Sequence, residues 1–103
     1  MPGIIKNDAS QLIAVGNHQT VATDGTSKTI GSEVSLNLSA PYHQIQIQGA
    51  GAKFHLSGED ATGGSPFKVV ENWTGVWSTA QLAKSTWTQD GVAGTLVIQA
   101  LNY

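Results

Sequence analysis

The sequence predicts an all-β fold, a small antiparallel β-sandwich or barrel of about eight strands, and three observations carry that prediction. Glycine occurs twelve times, spread along all 103 residues, which breaks up any long helix and supplies turns. Only 12% of residues are charged, while nine Ser, ten Thr, five Asn and eight Gln provide an uncharged polar surface. Apolar and polar side chains alternate over several short stretches, the period of a strand with one buried face.

Met1 to Ser10 place Pro2, Gly3, Lys6, Asn7 and Asp8 around a lone Ile4-Ile5 pair. Such a segment reads as an extended arm that pairs at a sheet edge or reaches another chain, leaving residues 11–103 as a single β-sandwich domain. Strands of weak pattern are expected at Gln11 to Val15 and at His18 to Thr23, punctuated by Asn17 and by Asp24-Gly25. Val34, Leu36 and Leu38 alternate with Ser35 and Asn37, which predicts a half-buried strand.

Ile45 and Ile47 between Gln44, Gln46 and Gln48 make the cleanest alternation of the chain, and Phe54 and Leu56 repeat it against Lys53, His55 and Ser57. With Gly49-Ala50-Gly51-Ala52 between them, residues 44 to 57 read as one β-hairpin. Further weak strands are expected at Phe67 to Glu71, Val76 to Ser78 and Lys84 to Thr88, with Gly63-Gly64-Ser65-Pro66, Asn72 and Asp90-Gly91 as turns. Ser78 to Lys84 is the one place for a helical turn. Thr95 to Leu101 is apolar on both faces, Leu96, Ile98 and Ala100 on one, Val97 and Leu101 beside Gln99 on the other. A central or interface-covered strand fits that pattern.

A mass of 10.8 kDa fits one domain. The absence of cysteine excludes a disulfide scaffold, zinc fingers and thiol chemistry. Five lysines and no arginine against seven acids give a net charge of −2, a poor match to a phosphate backbone, so no nucleic-acid partner is expected. No apolar run is long enough to cross a bilayer, and Met1 to Lys6 lacks the apolar core of a signal peptide. The expectation is a soluble chain made in the cytoplasm, with no membrane partner.

No catalytic motif is recognisable. His18, His43 and His55 lack the spacing that brings two imidazoles to one ion, and Glu59-Asp60 is an isolated acidic pair in a Gly/Ser/Thr loop. There is no Gly-x-Ser-x-Gly elbow, and Gly49-Ala50-Gly51 lacks the rest of a dinucleotide loop. Neither an enzyme nor a metal or other cofactor is expected. Trp73 and Trp77 flank Gly75 with equal parity, and Trp87 follows. These indoles read as core or protein-interface anchors, with Gly75 leaving room for a ligand or partner backbone. A sugar-stacking platform is the second reading.

With these elements placed, the chain from about Ser35 to Leu101 resembles the small β-sandwich proteins of tailed-bacteriophage particles, notably capsid decoration or cement proteins. The resemblance rests on the Gln44-Ile45-Gln46-Ile47 strand, the glycine-marked connection and Phe54-His55-Leu56. It continues through a Gly/Ser loop, Trp73-Thr74-Gly75-Val76-Trp77-Ser78 and the closing Thr95-Leu96-Val97-Ile98. It implies a non-enzymatic virion component that binds the assembled shell through the major capsid protein or other virion proteins. Such proteins often act as closed oligomers, and a trimer is the first expectation here. A tail or baseplate position is an alternative within the same reading, and a carbohydrate-binding module is the alternative outside it. The residues expected to make protein contacts are Ile4, Ile5, Trp73, Trp77, Val97 and Leu101.

Overall fold

Two four-stranded antiparallel sheets pack face to face in a computed structural model that describes residues 12–103. The strands are β1 (Ile13–Ala22), β2 (Lys28–Thr29), β3 (Tyr42–Gln48), β4 (Ala52–His55), β5 (Phe67–Val69), β6 (Thr74–Ser78), β7 (Thr86–Gln89) and β8 (Thr95–Asn102). Two short helices, α1 (Ile30–Glu33) and α2 (Thr79–Lys84), sit beside them. The first sheet runs β1-β8-β3-β6 and the second β2-β7-β4-β5. This is the all-β sandwich that the alternation and the glycine distribution predict.

The core forms where the two inner faces meet. Val21, Ile45, Ile47, Leu96 and Ile98 come from the first sheet, and Ala52, Phe54, Val69 and Trp87 from the second. Ile30 of α1 and Leu82 of α2 complete it. In β3 and β8 burial follows the sequence alternation residue by residue as far as Ala100, because each Ile or Leu is two residues from the next and so points inward. The expected central position of the last strand is correct, since β8 lies between β1 and β3.

The predicted hairpin over residues 44 to 57 does not form. β3 pairs with β6 and β8, whereas β4 pairs with β5 and β7 in the opposite sheet. The glycines between them make a corner rather than a turn. Gly49 has φ +83°, and a Cβ on Gly51 would lie 2.6 Å from the carbonyl oxygen of Val69, so a side chain is excluded by the backbone of the neighbouring strand. Alternation shows only that each strand has one apolar face, and two such faces meet across a core as readily as side by side in one sheet.

The strand expected at Val34 to Leu38 is likewise absent. Val34 and Leu36 do pack against the core, but Leu38 is 83% exposed. The Asn37 side chain accepts a hydrogen bond from the Ser39 amide at 3.0 Å and the Asn37 carbonyl accepts one from the Ala40 amide at 3.0 Å. This local turn competes with strand extension. The two weak strands expected at 11–15 and 18–23 are one strand, β1, interrupted by a bulge between Val15 and Gln19 where Gly16 has φ +72°. The predicted helical turn is present as α2, with the Ser78 hydroxyl accepting from the Gln81 amide at its start.

Candidate protein-contact face

Charge is distributed unequally between the two sheets. None of the four strands of the first sheet contains a Lys, Arg, Asp or Glu. The charged residues among those described, from Asp24 and Lys28 to Lys84 and Asp90, all lie in the second sheet, the helices and the connections. Lys53 and Lys68 face each other across the β4–β5 ladder, and Lys28 pairs with Asp24 at 3.4 Å beside β2.

The outer face of the first sheet is therefore a field without Lys, Arg, Asp or Glu, whose rows can be read from the register. One row runs Ala14, Leu101, Tyr42, Ser78, and the next holds Gln99, Gln44 and Val76. A third runs Thr20, Val97, Gln46, Thr74, and the last holds Ala22, Thr95 and Gln48. Gln99 is anchored by its amide nitrogen, which donates to the Val15 carbonyl at 3.0 Å across the bulge. At one end the Tyr103 ring meets Tyr42 edge-on at 6.0 Å and its hydroxyl donates to the Tyr42 hydroxyl at 3.3 Å. That contact raises the Tyr103 phenol above its ordinary range. Four strands about 4.8 Å apart, with ladders along the eight residues of β8, make a face of roughly 15 by 25 Å.

Of the residues singled out from the sequence, Val97 and Leu101 stand on this face. Val97 is half-buried between Thr20 and Gln46, whereas Leu101, 6% exposed in the row between Ala14 and Tyr42, is already covered within the chain and offers a partner little surface, contrary to its expected contact role. Ile4 and Ile5 lie outside the described residues. Trp73 and Trp77 point the other way, into a cluster of five aromatic rings centred on Phe54. Phe54 stacks on Trp87 at 4.4 Å and on Phe67 at 5.4 Å, and meets Trp77 at 5.5 Å and Trp73 at 6.2 Å. The room expected over Gly75 is filled by those indoles themselves, since a Cβ there would clash with Trp73 Cη2 and lie 3.1 Å from Trp77 Cη2. Trp73 and Trp77 are half-buried, while Phe67 is 61% exposed at the edge of the cluster.

The remaining polar groups are spread out. His43 sits in the first sheet and His55 in the second, where the His55 ring contacts the Gly63 carbonyl at 3.0 Å. In the loop after β4, Asp60 accepts from the Thr62 amide and hydroxyl, which hold its carboxyl below the ordinary range. The Ser57 hydroxyl donates to Glu59 in the same loop. No group of three His, Asp or Glu side chains among the described residues is placed to hold a metal ion. A shallow cleft of about 310 Å³ is lined by Gly31, Val34, Ser35, Leu36, Leu38 and Ala83.

The net charge of −2 is a total and does not show the charge-free face. Its signal is nonetheless present, because the best alternating segments, 44–48 and 95–101, hold only Gln and Thr as their polar partners. No protein-family model, curated protein or solved structure matches the chain.

Proposed function

We propose that this chain is a non-enzymatic structural protein of a tailed-bacteriophage virion, a capsid decoration protein that binds and stabilises the assembled shell. The observation that carries the reading is the segregation of charge, with no Lys, Arg, Asp or Glu on any strand of the first sheet. The centre of a protein interface is depleted in charged side chains, because each one must be desolvated on contact. A face of Gln, Thr, Val and Tyr meets that requirement. Glutamine amides carry both donors and acceptors, so they can satisfy a partner's polar groups without a net charge.

The area of that face, under half of the roughly 800 Å² per partner in a standard interface, calls for a second contact. The arm of residues 1–10 supplies it in this reading, by adding a strand to the shell or to a sister subunit, with Ile4 and Ile5 as its apolar anchors. The inward packing of Trp73 and Trp77 makes them supports of the fold's aromatic core and leaves no pair of parallel exposed indoles for a sugar ring. Incubation of the purified protein with assembled shells and with tails of the encoding phage, followed by co-sedimentation, tests the reading. Saturable binding to shells is the expected result. Binding to tails alone moves the protein to the tail, and binding to neither while glycans bind replaces the reading with the lectin one.

A further inference from the structure

His43 is 1% exposed in the middle of the hydrophobic interior. Its ladder neighbours are Trp77 on β6 and Ala100 on β8. Its Nδ1 lies 2.8 Å from the Thr79 hydroxyl, and that hydroxyl lies 2.5 Å from the Ala40 carbonyl oxygen. A carbonyl only accepts, so the Thr79 hydroxyl donates to Ala40 and must accept from His43. The imidazole therefore carries its proton on Nδ1, and Nε2 is the acceptor. Nε2 is buried and has no hydrogen-bond partner.

The same residues fasten α2. The Thr79 amide donates to the Pro41 carbonyl at 3.1 Å, so the first residue of the helix is tied to residues 40–41 through both its amide and its hydroxyl, and His43 holds the hydroxyl in place. A second proton would go to Nε2, where it meets no acceptor. β6, β8 and residues 34–41 contain no titratable side chain; β3 adds Tyr42 and α2 adds Lys84 in its last turn. None of these groups acts on the ring, whose pKa is pushed below the ordinary 6.5 by burial alone.

We propose that His43 is an acid-operated latch, which when neutral clamps the start of α2 to residues 40–41 and to the first sheet, and when protonated releases them. The charged ring gains solvation only if water reaches Nε2, and the closest exit is the α2 side, since β6 and β8 close the ladder on both flanks. Opening therefore begins at Thr79 while the Ile45–Ile98 pairing stays closed.

Native-state hydrogen exchange followed by NMR tests this. After correction for intrinsic rates, the Thr79 and Ser85 amides should exchange at least tenfold faster at pH 5 than at pH 7.5, with Ile45 and Ile98 amides unchanged. His43→Leu should abolish the difference. If that variant fails to fold, the imidazole ¹⁵N shifts of the wild type decide: an Nδ1–H neutral ring at pH 7.5 whose protonation coincides with the faster exchange supports the latch. A ring that protonates while Thr79 remains protected, or a His43→Leu protein with the same pH-dependent exchange, overturns it.

Discussion

The Phe54 ring lies over Trp87 at a centroid distance of 4.4 Å and an interplanar angle of 17°, directly across the β4–β7 ladder. Trp87 is 1% exposed, and its Nε1 donates to the Ser85 hydroxyl at 2.9 Å. The polar edge of the indole is thus satisfied in the interior, which is the condition for burying a tryptophan without penalty. The Ser85 hydroxyl in turn lies 2.7 Å from the Leu82 carbonyl. The stack therefore connects the second sheet to the end of α2.

Phe54→Ala removes the ring that touches all four other members of the aromatic cluster. A loss of about 3–5 kcal/mol of stability is expected, the range for deleting a large buried aromatic. Urea denaturation followed by tryptophan fluorescence measures it, and Phe54→Leu should cost less because the volume is better preserved.

Gly75→Ala inserts a methyl group into space already held by Trp73 and Trp77. Both are large and packed against Phe54, so they move only by disturbing the cluster. The expected cost is about 1–3 kcal/mol, accompanied by a red-shifted tryptophan emission. The same substitution at Gly25, where a Cβ would meet nothing within 4 Å, should be close to neutral.

Acid lability below pH 4 has its own source. The Asp24 and Asp60 carboxyls are held below the ordinary 3.8, first by the Thr26 and Thr62 hydroxyls and then by the amides of the same residues. A lowered folded-state pKa contributes stability that is present above the unfolded value and lost as pH falls through the folded one. Thr62→Val should bring the Asp60 carboxyl back toward its ordinary value, read by ¹³C chemical shifts during titration, and should raise the acid-unfolding midpoint. His43 acts in the other sense of charge but the same direction of pH, its contribution fading as pH drops below about 6.5, the unfolded imidazole value. His43→Leu and Thr62→Val remove the two contributions one at a time, so each can be assigned from its own variant.

The layers of the fold were legible in the sequence and their connectivity was not. Ile45, Ile47, Leu96 and Ile98 announced their buried face by period two alone. Nothing local distinguishes a hairpin at Gly49-Ala50-Gly51 from a corner between sheets, because that choice is made by what β4 meets, namely Phe67, Val69 and Trp87. Val34, Leu36 and Leu38 show the complementary limit, where the pattern of a strand exists but the Asn37 turn diverts it. β2 and α1 were invisible, being two and four residues long. The charge-free face is half legible, since Val97 is marked by the two-sided apolarity of β8. Its lack of charge emerges only when four strands distant in sequence are laid side by side.

Removal of residues 2–9 should leave the sandwich folded, because the core cluster of the described residues runs from Val21 to Ile98. In the proposed role the truncated protein keeps its melting temperature and binds shells at least tenfold more weakly. Unchanged binding would leave the flat face as the sole attachment.

The central claim, that the charge-free face of the first sheet docks on the shell, is tested most directly by placing a charge on it. Gln46 stands in the row between Val97 and Thr74 and is half-buried, its Oε1 accepting from the Gln48 side-chain amide nitrogen at 3.1 Å on the surface. Gln46→Lys would bury an uncompensated ammonium group in the contact without disturbing the interior. Shell binding by the Gln46→Lys protein is measured beside the wild type and beside Lys68→Glu, a charge reversal on the opposite sheet. The account predicts at least a hundredfold loss of affinity for Gln46→Lys, wild-type affinity for Lys68→Glu and unchanged melting of both. Wild-type affinity for Gln46→Lys, or a loss confined to Lys68→Glu, would contradict it.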